Sequence, residues 1–208
     1  MRGTRAFPSR RRPAPGPARS RASPRCGAGR MHPGPRGERD VGFWGCYLVG
    51  RSGEPLIGHP ALRDARERLT LREYRADGWQ VWSHPTDSSL GSMTALADAA
   101  RAPVLLGFVM DGVCVAVEAA APHSGSWYAC LGRTPMAEHL GPDGPTREEL
   151  FLPPEDAAAR AVLWAAETGR GVREGPLLEL LRIERPERSG EELFFAFLDR
   201  LGIESLSG

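Results

Sequence analysis

An α+β fold, an antiparallel sheet of four or five strands covered by helices, is predicted by three features of the sequence. Pro103 to Gly132 holds three consecutive apolar runs separated by turn residues. Asp111-Gly112 divides the first two of these runs, and a type I′ hairpin turn needs positive φ at both central positions, which Asp-Gly supplies. The last third of the chain repeats its large apolar residues at helical spacing.

Within the central segment, Val104 to Met110 is apolar apart from Gly107 and is followed, after the turn, by Val113 to Ala119. Period-two alternation puts Val113, Val115 and Val117 on one face, and Cys114, Ala116 and Glu118 on the other. A longer turn over Pro122 to Ser126 leads into a third strand, Trp127 to Leu131. The β-branched residues and the Asp-Gly turn favour strands here over a buried helix. Strands this apolar are expected to be covered on both faces, or on one with the other partly open.

Upstream, Phe43 to Val49 reads as a strand with Phe43, Tyr47 and Val49 facing one way and Trp44, Cys46 and Leu48 the other. Pro60 to Leu69 suits a short polar helix or a loop. Leu71 to Tyr74 and Trp79 to His84 flank Arg75-Ala76-Asp77-Gly78 as a hairpin. Ser88 and Ser89 offer N-caps for a helix from Leu90 to about Arg101, with Leu90, Met93, Ala97 and Ala100 inward, and Pro103 ends it. Downstream, Thr134 caps and Pro135 opens a short helix that Gly141 closes. Helices follow over Pro154 to Thr168, where Trp164 falls partly across the stripe, and over Pro176 to Arg182. The last begins at a capping box, Ser189 with Glu192 three residues on, and buries Leu193, Phe194, Phe197, Leu198 and Leu201.

GFWGCYLVGR from Gly42 resembles the opening of a family of uncharacterised actinobacterial proteins. The later GWQVW, ACLGR and EELFFAFLDRLGI share in that resemblance, which covers nearly all of residues 41–203. The family has no known activity, so the resemblance carries over no catalytic residue. It implies that Val41 stands where the family has its initiator, valine being what a GTG start codon spells internally.

The net charge of +1 conceals a division of the chain. Residues 1–40 carry 11 arginines against Glu38 and Asp40, a net of +9, while the remainder sets 16 arginines against 24 carboxylates, a net of −8. With seven prolines, six glycines and almost no large apolar residue, residues 1–40 are expected to be disordered, and residues 41–208 to form one globular domain. The basic segment reads three ways: an arginine-rich arm for nucleic acid or another anionic surface, a solvated linker, or leader sequence read from a start set too far upstream. No apolar run approaches the roughly 18 residues of a membrane-crossing helix, and no apolar h-region stands near the N-terminus. The four cysteines form no C-x-x-C pair, so reduced thiols in a cytoplasmic protein are expected.

No cofactor, metal or catalytic motif is present. His59, His84, His123 and His139 form no ligand pair, and the glycines follow no phosphate-binding pattern. Four binding candidates stand out. Glu118 is a charge in an apolar strand, and either lines a pocket with Arg133 or Arg101 as its partner or points outward at the strand's frayed end. Trp44 and Trp82 lie in strands, so that one can be exposed as an anchor for a partner. His123 sits in a turn seven residues before Cys130, and a thiol–imidazole pair between them would serve a small-molecule hydrolase. The acidic domain and the missing catalytic set favour a non-enzymatic, cytoplasmic protein-binding module of the immunity or antitoxin kind, drawn to a basic partner. The alternatives are that hydrolase, and nucleic-acid binding through residues 1–40.

Overall fold

A computed structural model describes residues 43–51, 55–84 and 90–206; the expectations for residues 1–40, and for Ser88 and Ser89 as caps, lie outside them. Among the described residues the sheet has six strands rather than four or five. They are β1 (Gly45–Arg51), β2 (Thr70–Arg75), β3 (Trp79–His84), β4 (Val104–Met110), β5 (Cys114–Ala121) and β6 (Gly125–Leu131). Their spatial order is β2-β3-β1-β4-β5-β6 and every neighbouring pair is antiparallel. The count rises because β1 pairs on both sides, with β3 and with β4, and so joins the upstream hairpin to the central strands.

Asp111 and Gly112 both have positive φ, 50° and 65°, as a type I′ turn requires. Three residues rather than two separate β4 from β5, since Met110 lies opposite Cys114. Val113 therefore leaves the face it was expected to share with Val115 and Val117 and is exposed. The second turn is shorter than expected, Pro122 to Ser124, because β5 extends to Ala121 and pairs it with Gly125.

Among the described residues six α-helices form: α1 (Met93–Ala100), α2 (Arg133–Leu140), α3 (Arg147–Leu150), α4 (Pro154–Glu167), α5 (Glu174–Leu181) and α6 (Gly190–Arg200). α1 starts three residues later than Leu90 because the Ser92 hydroxyl accepts from the Ala95 N–H at 3.3 Å. α2 starts at Arg133 after Gly132 at φ 73°, ahead of the expected Thr134 cap. Pro60 to Leu69 yields only short 3-10 turns, each held by i→i+3 bonds. The capping box of α6 forms in full: Ser189 accepts from the Glu192 N–H, and the Glu192 carboxylate accepts from the Ser189 N–H at 2.8 Å.

Helices α4, α5 and α6 cover one face of the sheet, packing Ala161, Trp164, Phe194 and Phe197 on Val49, Val81, Leu105, Val115 and Trp127. Trp164 lies wholly inside rather than across the stripe, its indole N–H donating to the Ala120 carbonyl at 3.0 Å. The opposite face carries two separate apolar clusters. One lies under α1 and the 3-10 turns and contains Cys46, Leu48, Trp82, Met93, Leu96 and Leu106. The other joins Cys114 and Cys130 to Met136 of α2 and to Phe151.

Candidate functional site

The helical layer on that second face leaves a gap between the N-terminus of α1 and α2. Along β5 the residues facing this side are Cys114, Ala116, Glu118 and Ala120; the outer two are buried and the inner two are partly exposed. The neighbouring strands repeat the pattern, with Phe108 and Met110 on β4 and Tyr128 on β6 partly exposed. Solvent thus reaches the middle of the sheet, and the surface it meets there is aromatic around one carboxylate.

Glu118 lies within β5, paired with Leu106 on one side and Tyr128 on the other, and so not at a frayed end. Its partner is neither Arg133 nor Arg101. The Tyr128 hydroxyl donates to Glu118 Oε1 at 3.1 Å, and the backbone N–H of Met93, at the positive end of α1, also bonds to the carboxylate. Burial pushes the Glu118 pKa up from its ordinary value, and the hydrogen bonds from Tyr128 and Met93 pull it partly back.

The two tryptophans part company. Trp44 is 43% exposed and lies edge-on to Phe108, with ring centroids 6.2 Å apart, and to His139 of α2 at 5.6 Å. Trp82 is 8% exposed and belongs to the core, its indole N–H donating to Gln80 Oε1 at 3.1 Å. It is no surface anchor, because β3 is covered on this face by the segment around Leu56 and Leu62.

His123 and Cys130 are not brought together. His123 is exposed in the β5–β6 turn, where its backbone N–H donates to Glu167 at 3.1 Å, whereas Cys130 lies at the other end of β6. Burial lifts the Cys130 thiol to about 11, although Arg133 and Arg147 act to lower it, and lifts Cys114 to about 12. A thiol held protonated at neutral pH is a poor nucleophile. Among the described residues no cluster of three or more His, Cys, Asp and Glu side chains could hold a metal ion. Nor, among them, is any helix long and apolar enough to cross a membrane.

Phe108, Tyr128 and His139 were not picked out as site residues from the sequence. The five-residue turn expected after Ala121 would have set Cys130 opposite Glu118. The shorter turn observed shifts the pairing by two positions and puts Tyr128 there. Comparison with family models, with curated proteins and with solved structures returns no match to this chain.

Proposed function

We propose that the chain is a cytoplasmic protein-binding module of the immunity or antitoxin kind, which meets a basic partner at the gap between α1 and α2. The observation that carries this reading is the partly covered face itself: exposed Trp44 against Phe108 and His139, and, further along the sheet, Glu118 bonded to Tyr128. An exposed aromatic anchor within a partly desolvated patch is the usual energetic centre of a protein interface. The net charge of −8 from residue 41 onward favours encounter with a basic surface. Buried thiols with raised pKa values agree with a non-enzymatic role, and the resemblance to the uncharacterised actinobacterial family stands as part of the same proposal.

The test is capture from a native lysate on the full-length protein, read by mass spectrometry. One basic protein retained at near-stoichiometric yield by the wild type, and lost with Trp44→Ala, is the expected result. Retention of no protein, or of one indifferent to Trp44→Ala, overturns the reading. A panel of ester, phosphate and thiol-dependent substrates is expected to give no turnover above buffer. Activity abolished by Cys130→Ser in a folded protein would instead point to a hydrolase.

A further inference from the structure

We infer that the gap takes the guanidinium group of an arginine presented by the partner, with Glu118 as its carboxylate and Ala116 as the floor beneath it. The inference rests on the protein-binding reading and names what the bound side chain must be.

The floor comes first. Ala116 lies between Phe108 of β4 and Cys130 of β6 in the register of the sheet, and it is partly exposed although it sits mid-strand in an inner strand. A methyl group flanked by larger side chains leaves a depression at its position. Phe108 lies directly beside that depression and Tyr128 diagonally from it, and Glu118, two residues along β5, projects from the same face. Diagonal neighbours across a sheet are about 7–8 Å apart, a span one flat side chain can bridge.

Next comes the carboxylate. A carboxylate accepts at about four positions, and Tyr128 and Met93 account for two of them. Among the described residues no arginine pairs with Glu118. Arg75, Arg133, Arg147, Arg170, Arg182 and Arg185 all have carboxylate partners elsewhere. Among the described residues, then, Glu118 is a partly buried carboxylate with no cationic partner.

Geometry then chooses the cation. A guanidinium is planar and weakly hydrated, and it can lie on an aromatic ring while donating in its own plane to a carboxylate. An ammonium is a strongly hydrated point charge and would lose water at the aromatic walls without the stacking in return.

The experiment titrates the full-length protein with N-acetyl-arginine N-methylamide and with its lysine counterpart, followed by 1H–15N spectra. The arginine compound is expected to shift the amides of Phe108, Ala116, Glu118 and Tyr128. Binding should weaken about tenfold in Glu118→Gln, and the lysine compound should bind about tenfold more weakly than the arginine one. Ala116→Leu, which fills the depression without touching the charge, should abolish the shifts. Equal binding of the two compounds, or an affinity for the arginine compound unchanged by Glu118→Gln, would overturn the inference, and neither outcome depends on whether Ala116→Leu folds. A wild-type dimer dissociated by Glu118→Gln would overturn the assignment to a separate partner, the arginine then coming from a second copy. Capture of a basic partner that is lost with Trp44→Ala but kept with Glu118→Gln would leave the protein-binding reading standing and remove this one.

Discussion

At the scale of single residues, Glu118 combines the use proposed for it with a cost. Its pKa is raised because desolvation outweighs the hydrogen bonds from Tyr128 and Met93. The folded state therefore holds a proton that the unfolded chain has already released, and the stability this gives at low pH is lost as pH rises through the folded pKa. Glu118→Gln keeps an acceptor for Tyr128 and removes the buried charge. It is expected to raise the melting temperature at pH 7, with the difference closing below about pH 4, where the carboxylate is protonated in both states. A lower melting temperature at pH 7 would show that the charge stabilises the fold, and a binding role would then be less needed to account for it. Gly112 makes the opposite kind of prediction. Its φ of 65° is strained for a β-branched residue, and its backbone is used twice, donating to the Phe43 carbonyl at 2.8 Å and accepting from Gly190 at 2.6 Å. Gly112→Val should cost about 1–3 kcal/mol in chemical denaturation. Residue-level signals with a local cause, such as Asp111-Gly112, were legible in the sequence. The partner of Glu118 was not, because it depends on the length of a turn several residues away.

Elements were read best where both ends carry their own chemistry. Ser189 and Glu192 begin α6, its apolar stripe faces inward as expected, and Phe197 is fully buried. Phe197→Ala should cost about 3–5 kcal/mol, as a shift in denaturation midpoint would show. α1 was read less well, since three serines precede it within five residues and only tertiary packing selects Ser92. How α6 meets the sheet was beyond the sequence. A Cβ on Gly107 of β4 would collide with the Phe194 ring, so the ring rests directly on the strand backbone. The glycine that interrupts an apolar strand is thus the seat of an aromatic side chain 87 residues later, a pairing that no local pattern announces. Gly107→Ala should destabilise by about 1–3 kcal/mol through overpacking, and a neutral result would mean that α6 can slide to make room.

For the molecule as a whole, Arg75 at the end of the edge strand β2 is the tie between the first half of the chain and the last. Its side chain is 4% exposed, and its guanidinium donates to Asp199 at 2.7 Å, to the Ile203 carbonyl at 2.6 Å and to Glu73 at 2.5 Å, beside the Phe195 ring. The Ala76 N–H donates to the Glu204 carbonyl and Ser205 bridges to Arg75, so the segment after α6 runs alongside β2. Arg75→Met should lower stability by about 1–3 kcal/mol, less than for a fully buried pair because Asp199 keeps contact with water. Amide exchange should quicken in β2 and at Ile203 before it does in β4 and β5. Uniform quickening would mean that the tie belongs to the core rather than to its edge.

The placement of β1 bears on how the protein is made. β1, the first of the described strands, pairs with β3 and β4, so the first of these partners is not available until the chain has grown past residue 79, and the second not until past residue 104. The Tyr47 side of that strand waits longer still, because the rings of Phe194 and Phe195 that cover it arrive only with α6. During synthesis the nascent sheet therefore carries an apolar face with nothing on it, and a chaperone that binds extended apolar strands would find its site there before the last helix arrives.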